Sequence, residues 1–432
     1  MPQTTFLLTG DAFITRPLPP GGYAGFDAVH NIIASHDVRF NNLEITVHDS
    51  EGYPAAQSGG TWAMTSPAVL RDLARFGFNV FNTANNHSLD YSHGGVLKTI
   101  ENLQKLSLPH CGTGENLEEA AAPVYIQTPN ARVAVIGVSV STRAAECAGH
   151  ANADLTGRPG INPLRFTTTY TVEKDLYRAL EKTAEATGMN AVHNYRVKNG
   201  YAKETPEGQL YFDGLLFQLG ITNALHTAPM ERDVQRVTAS IAQARQQADY
   251  VVVSLHAHTS AGGKPETPAE FIKLFARRCI DGGADIIAGH GPHELRGIEL
   301  YRGKPIFYSM GNFIFQYEAV SVQPADAYEA FPGAATVEDI MRRRSKDGTA
   351  GYVVMPQIWH SGLFGVTARD GVIEQICVHP IDLHMTAPAG DKGWPELMAG
   401  RDGAELMANL ANLSKPYGTH MTVSDGVGIV AC

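Results

Sequence analysis

Five short apolar runs in this chain each lead to side chains that can bind a proton or a metal, and that repetition limits the possible folds more than any other feature. Phe6-Leu7-Leu8-Thr9-Gly10 ends at Asp11, and Val38–Leu43 ends at Glu44. The run Phe78–Thr83 leads into Asn85-Asn86-His87, with Asp90 three residues on. Tyr250–Leu255 ends at His256-Ala257-His258, and Asp285–Ala288 at Gly289-His290-Gly291-Pro292-His293. Apolar runs of this length bounded by turn signals are predicted to be buried strands. The longer amphipathic segments between them are predicted helices, so the chain alternates as an α/β fold does. Ser66–Phe76 and Thr267–Asp281 both start with a hydroxyl residue followed by Pro, as helix starts prefer. Ligand sites of α/β sheets lie at the carboxyl ends of strands, so these five ends are expected to share one rim.

Composition removes several classes of function. The 432 residues are 44% apolar and only 18% charged, which fits a packed globular chain. With 34 basic against 44 acidic residues the net charge is −10, and no basic stripe offers nucleic acid a footprint. Arg342, Arg343, Arg344 and Lys346, near Glu338 and Asp339, form the one basic run and are expected to be a solvated helix end. Five cysteines without CxxC spacing make neither a disulfide framework nor a thiolate metal site, and suit the reduced thiols of a cytosol. No apolar stretch reaches the ~18 residues of a membrane helix, and the N-terminus does not read as a signal peptide. The expectation is a cytoplasmic protein with a small-molecule substrate and neither nucleic acid nor membrane as partner. GxxxxGK[ST], GxSxG and HExxH are all missing, which sets aside nucleotide-loop, serine-hydrolase and zincin chemistry.

Oxygen and imidazole donors from separate strands suit divalent Zn, Mn or Fe. Two such ions about 3.5–4 Å apart activate a water and polarise a scissile bond. Glu44 is the candidate bridging carboxylate, and Asn86 can complete a shell without adding charge. His256, His290 and His293 supply nitrogens. Each residue alone has an ordinary reading: Asp11 as a helix cap, His87 or His258 as a hydrogen-bonded histidine, Asn85-Asn86 as a turn. The coincidence at five strand ends points to a metal centre.

Residues 1–318 are expected to form the catalytic core, interrupted by an insertion at about 143–235. That insertion should hold a helix over Val172–Thr187 stopped by Gly188, then a loop over Asn194–Gly208. Residues 319–432 are expected to be a β-rich extension packed on the core. In it, Glu318–Ala350 reads as a long loop with one short helix, and Tyr352–Trp359, Gly365–Thr367 and Val372–His379 alternate like antiparallel strands. Substrate contacts are expected from Arg296, three residues after His293, from His258, and from Arg196 in the insertion, where guanidinium can fork onto an anion.

The order of the phrases resembles the CapA family of poly-γ-glutamate capsule biosynthesis proteins, a branch of the calcineurin-like metallophosphoesterases. They are Thr9-Gly10-Asp11, Asn42-Leu43-Glu44, Ala84–Asp90, Gly112-Thr113-Gly114, Gly282–Asp285, Gly289–His293 and Lys304–Phe313, over roughly residues 5–141 and 236–316. The resemblance implies a four-layer αββα sandwich with a dinuclear site at one edge. It also implies that Asp11 holds one metal, Glu44 bridges, Asn86 and His256 hold the second, and His290 and His293 serve one metal each. His87 would be the general acid or a transition-state donor, with Asp90 orienting its ring. Three departures are visible. Ala12 and Phe13 follow Asp11 where the superfamily offers a nearby His, the last His pair is spaced by Gly-Pro, and His256-Ala257-His258 stands where the family often has His-Trp-Gly. His258 is thus an extra ligand, a substrate contact or a bystander. The implied activity is hydrolysis of a small amide, of a glutamate-like or other carboxylate-bearing compound, through a metal-activated water. A phosphomonoesterase or phosphodiesterase, and a non-catalytic assembly protein of poly-γ-glutamate-type polymer synthesis, are the alternatives, and homo-oligomerisation is open.

Overall fold

The first strand is divided between two buried clusters. In the computed structural model, which describes residues 3–141 and 143–432, Gln3–Phe13 is a strand of 11 residues. Phe6 and Leu8 enter one cluster and Leu7 the other, as the pleat requires. Both faces are covered, which is why Phe6, Leu7 and Leu8 are apolar in succession. The strand lies within a ten-stranded sheet. On one side follow, all in parallel, Val38–Leu43, Val80–Asn82 and His110–Cys111. On the other side the antiparallel strands His360–Arg369, Val372–Asp382 and Val427–Ala431 continue the sheet. Asn312–Phe315 pairs in parallel with the end of the first strand.

A seven-stranded second sheet sets Arg132–Val140, Tyr250–His256, Ile286–His290 and Lys304–Phe307 side by side in parallel. Val252, Ile286 and Ala288 share a buried cluster with Phe6, Leu8, Val38 and Phe40, so the two sheets face each other. Helices Phe26–Ala34, Ala68–Arg75 and Ser92–Lys105 bury Val29, Ile33, Leu70, Leu73 and Leu103 with Leu7 and Phe81 of the first sheet. Helices Glu231–Arg245 and Glu270–Asp281 bury Val234, Val237, Phe271 and Phe275 with Val251 and Val253 of the second. The chain is a mixed α/β fold, and its apolar stripes at helical spacing are the faces turned to the sheets.

Residues 143–235 contain a four-stranded sheet of Phe166–Val172, Gln209–Phe212, Leu215–Leu219 and Ala224–Pro229. Two helices, Lys174–Thr187 and Ala191–Lys198, accompany it. Gly188 closes the first at φ 65°. The second occupies the start of the stretch expected to be a loop from Asn194, since no Gly or Pro interrupts Ala191–Lys198. Further on, Glu318–Ala350 carries two helices, Ala325–Glu329 and Val337–Arg344, where one was expected. Thr336 and Asp339 start the latter with a capping box. Tyr352–Trp359, expected as a strand, is a pair of 3₁₀ turns, Gly351–Val354 and Pro356–Ile358. Pro356 has no N–H for a ladder, and Trp359 Nε1 donates across the turn to the Tyr352 carbonyl at 2.7 Å. Near the end of the chain, helix Gly400–Ser414 reaches the second sheet, where Ser414 Oγ accepts from the Ile298 N–H at 3.0 Å. Among the described residues no helix is long and apolar enough to cross a membrane.

Candidate metal centre

Asp11 sits where it does because Gly10 before it lets another backbone pass. A Cβ at Gly10 would lie 1.8 Å from the Gly311 carbonyl oxygen. Asp11 Oδ1 accepts from Asn42 Nδ2 at 2.7 Å, and Oδ2 from the Gly291 N–H at 3.0 Å. Asn42 accepts in turn from Asn82 Nδ2 at 2.6 Å, so amides on adjacent parallel strands orient the carboxylate. Glu44 follows the second of these strands. It is fully buried, and neither of its carboxylate oxygens has a hydrogen-bond partner among the described residues.

The second sheet supplies the nitrogens. His256 and His290 end neighbouring strands, with their Nδ1 atoms 2.9 Å apart. His256 Nδ1 lies 3.6 Å from Asp11 Oδ1, and its Nε2 lies 3.5 Å from Glu44 Oε1. Asn86 Oδ1 is 2.7 Å from the same Nε2, while Asn86 Nδ2 donates to the Gly59 carbonyl at 2.9 Å. His293 Nδ1 stands 3.6 Å from Asp11 Oδ2 and 3.7 Å from Glu44 Oε2, beside Asn312 Oδ1 at 2.9 Å. The His293 backbone is left-handed, φ 63°. Such a conformation costs a non-glycine residue on the order of 1 kcal/mol or more and persists only where the surroundings enforce it. His258 is exposed at the rim, its Nε2 3.1 Å from His256 Nε2.

Burial sets the protonation of this cluster. It lowers His290 to about 3 and His293 to about 4. It also holds the His256 ring well below the usual imidazole range, helped by repulsion from its neighbours. At neutral pH the three buried rings are uncharged and offer lone pairs. Burial pushes Asp11 and Glu44 up, and Asp11 and Asp90 push Glu44 further. A divalent cation offsets both costs, since it compensates buried carboxylates and accepts imidazole lone pairs. Three overlapping triads bring ligand atoms within 4.8 Å of one another: Asp11, His256 and His290; Glu44, His256 and His258; Asp11, Glu44 and His293. The orphaned Glu44 oxygens and this donor set fit a metal.

His87 lies beside the donors. Its Nδ1 contacts Asp90 Oδ2 at 2.7 Å, and Asp90 also accepts from the N–H groups of Gly59 at 2.7 Å and Ala63 at 2.9 Å. With Nδ1–H committed to a carboxylate, Nε2 is the nitrogen left for the cavity. That cavity, 130 Å³, is lined by Asn86, His87, His258 and His293, by the aromatic rings of Phe13, Phe315, Tyr317 and Tyr352, and by Arg344. A larger one of 410 Å³, with Tyr53, Leu89, Arg143 and Glu146 in its wall, touches none of the converging donors.

The structure therefore brings together Asp11, Glu44, Asn86, His87, Asp90, His256, His258, His290 and His293. It does not bring Arg296 or Arg196 into the cavity. Arg296 is buried and donates to the carbonyls of Pro265, Thr259 and His258, at 2.8, 3.3 and 3.1 Å, so its donors hold the backbone behind His258. Arg196 is exposed on the Ala191–Lys198 helix. Sequence reasoning overlooked Arg344, Tyr317 and Tyr352 as lining residues.

A family model described as "Bacterial capsule synthesis protein PGA_cap" matches residues 5–317. An "Uncharacterized protein y4sH" of Sinorhizobium fredii is 31% identical over 441 residues, spanning 99% of this chain and 92% of the relative. The "PGA biosynthesis protein CapA" of Bacillus subtilis is 26% identical over 354 residues, 76% of this chain and 73% of the relative. A shorter match, 39% identity over 93 residues, covers 21% of this chain and 24% of a "Probable polyglutamine synthesis accessory protein" of Mycobacterium tuberculosis.

Proposed function

Because the chain belongs to the PGA_cap family of bacterial capsule synthesis proteins, we propose that it is a metal-dependent hydrolase on a four-layer αββα sandwich of the metallophosphoesterase type. Its substrate is a small amide of a glutamate-like or other carboxylate-bearing compound. Glu44 carries this reading: a buried carboxylate with two orphaned oxygens amid neutral imidazoles is costly without a cation. Asp11, Glu44, Asn86, His256, His290 and His293 would hold two divalent ions, zinc, manganese or iron, with His258 at the rim. Glu44 Oε1 near His256 and Oε2 near His293 supports a bridging role. Such ions, when bound, polarise a carbonyl oxygen and lower the pKa of coordinated water.

The chain's own groups supply the proton. In the imidazolium form, His87 keeps Nδ1–H on Asp90 and presents Nε2–H to the departing nitrogen, so the amine leaves neutral. Asp90 is a positioning residue, since it fixes the His87 ring and, through Gly59 and Ala63, the loop that edges the cavity. Phe13 packs edge-on against His87 at 5.1 Å and limits the ring's freedom from the other side.

Elemental analysis of protein purified without chelator tests the centre, beside Asp11→Ala and His290→Ala. About two equivalents in the wild type, reduced in both variants, is the expected result. A panel of small carboxylate-bearing amides and phosphoesters then tests the reaction, with His87→Ala expected to lower kcat by about 100-fold or more while metal is retained. Turnover of phosphoesters alone would replace the amidase reading with a phosphoesterase. No metal after incubation with zinc and manganese would sink the hydrolase. A second reading, a non-catalytic role in polymer synthesis, draws on the accessory name of the Mycobacterium relative. It predicts that biological function survives His87→Ala.

A further inference from the structure

We propose that Arg344 is a specificity-determining residue, which receives a substrate carboxylate at the mouth of the metal cavity. The inference rests on the hydrolase reading and adds to it the residue that selects the substrate. Arg344 lines the 130 Å³ cavity together with His87, His258 and His293, and it also lines an adjoining cavity of 210 Å³. Tyr317 and Tyr352 are the other residues shared by the two, so the guanidinium stands where they join.

Arg344 ends a helix whose last three residues are arginines, and successive helical positions point about 100° apart. The three therefore meet different surroundings. Arg342 pairs with Asp339 at 3.3 Å and Asp347 at 3.0 Å, and Arg343 donates to the carbonyls of Pro332 and Gly333. Arg344 has neither a hydrogen-bond nor an ion-pair partner among the described residues. Among the described residues no acidic side chain lines either cavity to satisfy it. It is exposed, and a ligand entering the cavity would find its five N–H donors free to pair.

The surroundings set the shape of the ligand. A Cβ built on Gly60 would lie 4.0 Å from Arg344 Nη2, which puts the guanidinium over the loop that Asp90 anchors. Phe315, Tyr317 and Tyr352 enclose the same space, with ring centroids 4.9 to 5.5 Å apart. A cavity of this size approaches the roughly 150 Å³ that accommodates one benzene ring. It suits a few apolar carbons between the reacting bond and a planar carboxylate, which an arginine grips with two parallel hydrogen bonds. Arg344 and Tyr352 lie beyond residue 317, where the match to the family model ends.

Titration calorimetry on the full-length, zinc-loaded protein tests this, with wild type, Arg344→Gln and, as a control on total charge, Arg342→Gln. The probes are glutarate, butyrate (the same chain without the second carboxylate) and inorganic phosphate. Wild type and Arg342→Gln should bind glutarate about tenfold or more tightly than butyrate. Arg344→Gln should erase that ratio while butyrate affinity and zinc content stay unchanged. An unaltered ratio in Arg344→Gln, or none in the wild type at normal zinc content, overturns the assignment and leaves the metal centre standing. Weaker phosphate with unaltered glutarate makes the residue a phosphate contact and overturns the carboxylate assignment. A wild type that takes up no zinc overturns the hydrolase reading, and this inference with it.

Discussion

Among the described residues Glu44 has no donor for either oxygen, so it opposes folding unless something positive sits beside it. Its pKa is raised in the folded chain, first by burial and then by Asp11 and Asp90. A carboxyl that ionises later in the folded state than in the unfolded one costs stability as pH rises above its ordinary range, here 4.5. In chelator, the wild type should therefore lose stability between pH 5 and neutral, and Glu44→Gln should recover part of it, about 1–3 kcal/mol at pH 7. Denaturant midpoints across that range measure the effect. The same variant should lose metal, trading binding for apo stability. A variant that is less stable in chelator at neutral pH and still binds metal would end the claim that Glu44 awaits a cation. At this scale the sequence disclosed much of the cluster, because a strand end followed by Asp, Glu, Asn or His is a local signal. Arg344 carried no such signal. Whether an arginine is committed depends on which carboxylates the fold sets near it, and Asp339 and Asp347 are taken by Arg342 alone.

Elements that are apolar on both faces, such as Tyr250–His256 and Ile286–His290, were legible because burial leaves them no polar alternation to confuse. Those near the surface were harder. The Val337–Arg344 helix is marked in the sequence by Thr336 and Asp339 at capping-box spacing. Tyr352–Trp359 imitated a strand by alternation, and Pro356 was the residue arguing against it. The tie between the 143–235 segment and the core was also hidden, because it joins Arg165 to a helical Asp233 far along the sequence. Asp233, fully buried, accepts from Arg165 Nε at 2.8 Å and Nη2 at 2.6 Å, and from Arg236 Nη1 at 2.6 Å. Burial alone would raise its carboxyl, but the two guanidiniums prevail and hold it below 3.8. A depressed folded pKa gives stability that is present above the ordinary value and lost as pH falls through the depressed one. Asp233→Asn should cost about 3 kcal/mol at neutral pH, the lower end for a broken buried pair because both arginines keep some solvent. The deficit should shrink below pH 4, which chemical denaturation at pH 7 and pH 3 would reveal. An equal deficit at both values would assign the loss to packing instead.

The whole molecule brings two sheets together so that the ends of their parallel strands lie around one set of donors. Neither sheet has a complete site. Asp11, Glu44 and Asn86 come from the first sheet or the loops after its strands, and His256, His290 and His293 from the second or the loop after it. An ion bound there would connect the two halves across their interface, and the unfolded chain holds these six residues far apart in sequence. It therefore binds the folded state selectively and stabilises it by mass action, about 2.7 kcal/mol when free metal exceeds its Kd a hundredfold. For a chain of this size that is a few degrees in Tm. Scanning calorimetry of the wild type should show Tm falling on chelation and returning with zinc or manganese. His290→Ala should start lower, because it removes a nitrogen from the Asp11, His256 and His290 triad and leaves a cavity. It should also respond less to added metal. Arg344→Gln, outside the donor set, should respond as the wild type does. A wild-type Tm indifferent to both chelator and metal would mean that the two sheets hold together without an ion, and that the buried acids persist through some stabilisation other than metal binding.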